Sequence, residues 1–517
     1  MELCFIILII LILTLFFFFI KTTFPSHHSS LLPPGPPRIP IIGSLFLLRF
    51  SFPQLEPYLR HLHAKHGPIV SLFVTPSRPV VSISDRSLAH RALVQNGAVF
   101  SDRPSGFTTG REMVVNNKEH NISTESYGPT WRLLRRNLAS GFLNPTRVGS
   151  FSGARKRALD TLVGRIKDAS RCNDCVVKVV DHLEYGVFSL LVMMCFGERL
   201  DEKEIRRIEC VQRGLLLGSN RFHVLKIWPK VSRILFWNRW KELVRMVKEQ
   251  EDVLVPLVRA RKKAKEDDDA NNNHHEGIIS YVDTLLDLVL PEEKRKLDEG
   301  ELVSISSEFL SAGTDTTTTA LLWIMANLVK YSHIQHRLFE EIRKIMGRRE
   351  KEDMKEVREE DLRKLPYLKA IILEGLRRHP PSHYLVPHAA SNDVVLNDYL
   401  IPKSGTVSFM VADMGWDPEV WEDPMEFKPE RFLNEDEELI EFDVTGSKEI
   451  KMMPFGAGRR MCPAYNLAML HLEYFVANLV WNFEWKKVAN NDVDLSEKQE
   501  FTVTMKNPLQ VHITCRR

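Results

Sequence analysis

Phe455-Gly-Ala-Gly458-Arg-Arg460-Met-Cys462-Pro-Ala464, close to the C-terminus, reads as a loop that holds one cysteine thiolate against a metal. Gly456 and Gly458 let the backbone turn tightly and approach a flat ligand. Arg459 and Arg460 place positive charge beside the sulfur, which favours the thiolate that ligation requires. Phe455 offers an aromatic wall. The run 465–481 has helical apolar spacing, so Cys462 lies at a helix N-terminus, where orphan backbone N–H groups stabilise a negative sulfur. A Gly-rich turn with a buried cysteine is the plain alternative. A thiolate with no partner acids and no second cysteine suits haem iron better than zinc.

The chain around this loop has 517 residues, enough for one very large domain or two to three ordinary ones. Charge is balanced, 70 basic against 67 acidic residues, and no basic patch interleaved with aromatics occurs, which argues against a nucleic-acid partner. Seven cysteines are scattered without regular spacing, so no disulfide framework is implied. Cys172-x-x-Cys175 lacks the partner pair a zinc site needs. Residues 3–20 are uncharged and apolar, about 27 Å as a helix, close to the thickness of a bilayer core. A cleaved signal peptide is the rival, but there is no basic leader and no small-residue cleavage site. Lys21 follows directly, which puts the body on the cytosolic side. The expectation is an uncleaved single-pass anchor over 1–21 in the endoplasmic reticulum membrane, with the catalytic body facing the cytosol. The sequon Asn121-Ile122-Ser123 would then be a chance match. A stiff proline-rich hinge over 22–45, including Leu31-Leu-Pro-Pro-Gly-Pro-Pro-Arg38, leads into a body over 46–517.

No internal repeat interrupts that body. Short β-rich runs fall near 69–84, 393–410 and 501–514. Helical periodicity covers 87–96, 128–140, 152–169, 177–196, 236–264, 301–331, 332–347 and 365–378. The polar stretch 262–277 reads as a disordered surface loop. The fold class expected is mainly α with small antiparallel β-sheets.

Four further segments carry chemistry. Ala312-Gly-Thr-Asp315-Thr316-Thr317 sits mid-way in a long apolar helix, where Gly313 and the threonines weaken the turn. Threonine hydroxyls can bond back one turn and open a slot for water. Glu374 and Arg377 lie three apart on one helix face, and Arg431 in Pro429-Glu-Arg-Phe432 lies downstream. Trp131 and Arg135 share a helix face at i,i+4, and both can reach a carboxylate. His388 follows Val386-Pro387.

In this order the five segments resemble the cytochrome P-450 family of haem-thiolate monooxygenases, most of all its microsomal plant members. Phe455, Gly458, Arg460 and Cys462 occupy the F-x-x-G-x-R-x-C-x-G pattern, and Ala464 stands where the pattern has glycine. The resemblance implies haem b (iron protoporphyrin IX) with Cys462 as its axial ligand. It implies haem contacts from Phe455 and proton delivery by Asp315 and Thr316. It gives Glu374, Arg377 and Arg431 the role of a buried ionic triad. Trp131, Arg135 and Arg460 are implied as propionate partners, with His388 either touching the other propionate or lying at the surface. Substrate contacts are expected from Phe107, Met113, Phe309, Ala312, Tyr384 and Leu385. The implied reaction inserts one atom of dioxygen into a small, mostly apolar plant metabolite, with electrons from NADPH through NADPH-cytochrome P-450 reductase and cytochrome b5 as a further partner. A peroxide isomerase or dehydratase of the haem-thiolate kind, and a non-catalytic membrane-tethered haem-binding module, are the competing readings. Both predict no NADPH-dependent turnover.

Overall fold

Asp298 opens a long apolar helix in the computed structural model: its carboxylate accepts the Glu301 N–H at 2.8 Å, and Glu301 accepts the Asp298 N–H at 2.8 Å. This capping box closes two orphan donors at once. From there Glu299–Lys330 continues as a 32-residue α-helix, two residues longer at its start than the apolar period suggests. The structure describes residues 13, 14, 16, 31–36 and 52–516, apart from 76–77, 116–118, 172–175, 223, 228, 271–277, 348–355, 404 and 489–491. The expected anchor over 1–21 and most of the hinge fall outside the described residues, as do Cys172 and Cys175. Among the described residues no helix is long and apolar enough to cross a membrane.

The chain forms two compact units, each assembled from separated segments. The larger comprises Gly106–Ser382, Trp421–Phe442 and Cys462–Arg517. Its core is the long helix Glu299–Lys330 packed against Val180–Phe196 and Tyr465–Asn482, with Glu202–Phe222 and Trp237–Ala270 alongside. Gly313 has a packing reason: a Cβ there would meet Leu191 Cδ1 at 2.8 Å. A side chain at this position would have to displace the Leu191 side chain. Two small antiparallel sheets complete the unit. In the first, Gln510–Cys515 pairs with both Phe483–Lys487 and Val177–Lys178. In the second, Glu497–Gln499 pairs with Val503–Met505.

The smaller unit comprises Met1–Ser105, His383–Val420 and Asp443–Met461. Its four-stranded sheet runs Ile69–Thr75, Arg78–Ile83, Thr406–Phe409, His388–Ala389. The two middle strands are parallel, which corrects the expectation of antiparallel sheets alone. A long chain excursion separates them, as parallel pairing requires. The hairpin Val394–Leu396 to Tyr399–Ile401 turns through Asn397 and Asp398, both at positive φ, as a two-residue loop demands. The proline-rich segment is tied down at its end: Ser71 donates its N–H to Pro34 O at 2.8 Å and its hydroxyl to Pro33 O at 2.6 Å.

Several helices depart from expectation. Residues 262–270 are not loop but the last turns of Trp237–Ala270, where Lys265 bonds the Asp287 carboxylate and the Asp283 carbonyl. Residues 271–277 lie outside the described residues. The two longest described helices absent from the periodicity reading are Glu202–Phe222 and Phe52–His66, which contains Pro57.

Glu374, Arg377 and Arg431 meet in the larger unit. Arg377 grips Glu374 through Nε at 2.7 Å and Nη2 at 2.8 Å, and both residues are almost wholly buried. Arg431 Nε reaches Glu374 Oε1 at 3.4 Å, and the Lys428 N–H donates to the same oxygen at 2.8 Å. Further guanidinium N–H groups donate to backbone carbonyls: Arg377 to Pro424 and Glu426, Arg431 to Asp423. Buried charges are tolerated when they are this fully bonded. Glu374→Ala leaves two buried guanidinium groups without their anion. It is expected to cost about 3–5 kcal/mol in chemical denaturation, with a midpoint unchanged from the parent counting against this role.

Candidate active site

Cys462 stands three residues ahead of helix Tyr465–Asn482 and is a free cysteine, half-buried. Burial pushes its thiol above the ordinary range; the Ala464 N–H and the positive charge of Arg135 pull the other way. The cation acting on the sulfur is thus Arg135 rather than the loop arginines. Arg459 is exposed, and Arg460 donates from Nε to Ser101 O at 2.6 Å within the smaller unit. Arg135 is half-buried, its guanidinium 6.0 Å from the Trp131 ring one turn earlier. Trp131 is buried, packs 5.3 Å from Tyr127, and donates its indole N–H to Ile122 O at 3.2 Å.

The loop before Cys462 is held inside the smaller unit. Residues Gly458–Arg460 make a 3₁₀ turn, closed by Met461 N–H to Gly458 O at 3.1 Å. Gly458 has φ +70°, and a Cβ there would stand 1.9 Å from Leu93 O. The glycine therefore admits a backbone carbonyl of the chain itself. That carbonyl lies in the π-helical turn Arg91–Gln95, a local widening of the helix begun at Arg86–His90. Gly456, at φ +71°, meets nothing nearer than Leu385 Cδ2 at 3.4 Å. Phe455 is half-buried.

His388 is buried rather than at the surface, and its Nδ1 lies 2.7 Å from Phe100 O. A carbonyl only accepts, so Nδ1 carries the proton and Nε2 a lone pair. Burial, with Arg103 and Arg460 nearby, lowers the ring's pKa to about 3. A carboxylate at Nε2 would find a donor there only after the ring took up a proton.

On the long helix, Thr316 donates its hydroxyl to Ala312 O at 2.7 Å, and Thr314 does the same to Leu310 O at 2.7 Å. The expected back-bonding is present. The helix is buried over most of its length, yet Ala312 is exposed and Thr316 half-buried. This wall therefore opens at the alcohol. Asp315 borders a small pocket lined also by Glu184, Phe188, Glu209, Gln212, Arg213 and Leu310. Burial raises the Asp315 carboxyl, and Arg213 opposes the rise. Arg213 also pairs with Glu184, whose carboxyl burial lifts to about 7. Sequence reading missed Glu184, Glu209, Gln212 and Arg213, because they lie on other helices a hundred residues upstream with no motif to mark them.

The expected substrate contacts divide. Phe309 is core: its ring packs 4.9 Å from Tyr281 and 5.8 Å from Phe142. Tyr384 bridges to Met410 and packs against a cluster around Leu59 and Leu72. Leu385 leans on the core of the smaller unit. Met113 packs against Phe222, Leu225, Leu243 and Val247. Phe107 is half-buried, and Ala312 alone of the six is exposed. Asn121 is 1% exposed with both side-chain ends bonded, which closes the sequon to any glycan.

A lone thiol opposed in its burial by an N–H and a guanidinium, together with a helix wall open at Ala312 and Thr316, fits a haem with a thiolate ligand. The family model for Cytochrome P450 matches residues 33–513. The chain is 50% identical over 494 residues to Cytochrome P450 89A9 of Arabidopsis thaliana, covering 94% of each. It is 31% identical to an isoflavone 3'-hydroxylase of Medicago truncatula, covering 93% of this chain and 91% of that one. A zebra fish cytochrome P450 solved with progesterone superposes with a TM-score of 0.71 at 22% identity, over 89% of this chain and 99% of that chain. The chain belongs to the cytochrome P450 family, a haem-thiolate monooxygenase of the plant kind whose cofactor is haem b.

The two loop glycines separate by test. Gly456→Ala carries only left-handed strain, about 1–2 kcal/mol. Gly458→Ala adds the clash with Leu93 O, at about 1–3 kcal/mol more. Denaturation midpoints should fall in that order, and equal losses would show that the Leu93 carbonyl does not confine the loop.

Proposed function

We propose that the chain is a membrane-tethered monooxygenase of small, mostly apolar plant metabolites, supplied with NADPH electrons by a flavoprotein reductase, with cytochrome b5 as a second donor. Its parts are an anchor over 1–21, a hinge over 22–45 and a catalytic body over 46–517. The observation that carries the reading is the Cys462 sulfur, faced by the Ala464 N–H and the Arg135 charge. Haem, when bound, supplies the activation of dioxygen.

The chain's own residues do the rest. Cys462 offers the sulfur, and the Ala464 N–H and Arg135 offset part of the burial that favours its thiol form. Arg135, Arg460 and His388 would hold the propionates, with His388 charged by proton uptake, and Trp131, its one N–H given to Ile122 O, would pack beside them. Thr316 has given its hydroxyl proton to Ala312 O, so its oxygen presents lone pairs toward the opening and accepts from a water or acid placed there. Asp315, its carboxyl raised by burial, retains a proton to higher pH than an exposed aspartate. From the pocket it can take protons and pass them across the helix wall. Ala312 leaves room for substrate beside Thr316, and Phe107 is a further contact. One relative is named for hydroxylating an isoflavone, which supports a C–H bond of a compact plant molecule as the target. The apolar run 3–20 and the proline carbonyls bound to Ser71 support the tether.

Two measurements decide this. Cys462→Ser should abolish the red-shifted Soret band that reduced thiolate-ligated haem gives with carbon monoxide; its persistence would rule out the ligand assignment. Thr316→Ala should keep that band, consume NADPH and release hydrogen peroxide, with product per NADPH falling at least about tenfold. Full coupling in this variant would remove Thr316 from proton delivery.

A further inference from the structure

One carboxylate on the long helix belongs neither to proton handling nor to the ionic triad. Glu308 accepts the backbone N–H of Ile122 at 2.9 Å and that of Ser123 at 2.6 Å, one on each oxygen. Such a grip is charge-assisted and directional. The Ile122 carbonyl in turn accepts the Trp131 indole N–H at 3.2 Å. The Ile122 carbonyl and the Ser123 N–H are the two ends of one peptide group. That group is therefore held at its donor end by helix Glu299–Lys330 and at its acceptor end by helix Pro129–Arg136. Hydrogen bonds at both ends of one amide polarise each other. The flanking residues are fixed as well: Glu119 pairs with Arg111, His120 lies between Glu125 and Glu293, and Asn121 donates to Glu112.

We propose that Glu308 is a positioning residue for the cofactor: it fixes the Ile122–Ser123 peptide, and that peptide sets the orientation of Trp131 and of Arg135 one turn further on. Glu308 precedes Asp315 by seven residues, about two helical turns on the same face. The helix that carries the proton-handling pair thus also sets the register of the helix whose cation faces Cys462. The inference rests on the reading that Trp131 and Arg135 hold the haem. It goes beyond that reading in giving the long helix control over how firmly they do so.

Glu308→Gln is nearly isosteric but turns one acceptor into an N–H₂ group facing a backbone N–H. In the holoenzyme, amide exchange at Ile122 and Ser123 should quicken by about tenfold to a hundredfold, with the rest of the long helix unchanged. Haem transfer to excess apomyoglobin should also quicken several-fold in Glu308→Gln and in Trp131→Phe. The double variant should be no faster than the faster single, because the two act through one peptide. Unchanged exchange at the two amides overturns the proposal. So does faster exchange with unaltered haem loss, which would make Glu308 a loop clamp only, and so do multiplicative effects in the double variant. Glu308→Gln should retain the thiolate carbon monoxide band, so failure here is distinct from failure of Cys462 as ligand.

Discussion

Burying the sulfur of Cys462 beside an N–H and a guanidinium is the constraint around which this protein is arranged. A thiolate removed from water reverts to a thiol unless nearby dipoles and charges hold it ionised. At Cys462 the opposing groups are an N–H at the start of helix Tyr465–Asn482 and the guanidinium of Arg135. Both depend on packing elsewhere. Arg135 is itself partly desolvated, which lowers its own pKa, and the sulfur's charge acts against that loss. Guanidinium and sulfur therefore each offset part of the other's desolvation. The Glu374–Arg377 pair braces the same unit by a different means: its charges meet each other, Arg431 and backbone groups.

The long helix serves two environments through adjacent residues. Thr316 lies where the helix wall opens beside Ala312, and Asp315 borders a small pocket shared with Arg213 and Glu184. Successive helical residues diverge by about 100°, so an acid and an alcohol next to each other in sequence can face separate compartments. Glu308, on the aspartate's side of the helix, adds a mechanical link to the peptide that carries Trp131.

Much of the site was legible because its chemistry is local. The cysteine loop, the Glu-x-x-Arg pair and the threonine run each fit within one or two turns, and their partners lie at helical spacing. What was not legible depends on contacts distant in sequence. Arg213 and Glu184 meet Asp315 only after three helices pack. Gly458 was read as room for a ligand, whereas the atom it admits is the Leu93 carbonyl. Phe309 was placed at the substrate because the resemblance puts its stretch of the helix on a variable recognition segment; its apolar character fits a core face equally well. The parallel strand pair joins segments separated by more than three hundred residues, beyond any pattern of period two. Residues 262–270 look soluble and low in complexity, but their lysines, alanines and Glu266 are good helix formers and extend the helix before them.

The turn Arg91–Gln95 has a further consequence. A π turn holds one more residue than the α turn it interrupts, and that extra residue shifts the carbonyls below it around the axis. Leu93 O points at Gly458 because the count of residues between Arg86 and Gln95 is what it is. Deleting a single residue there would shorten the turn that ends the helix and shift that oxygen relative to the glycine. Chain length in this segment is thus a quantity under constraint in its own right, independent of which side chains occupy it.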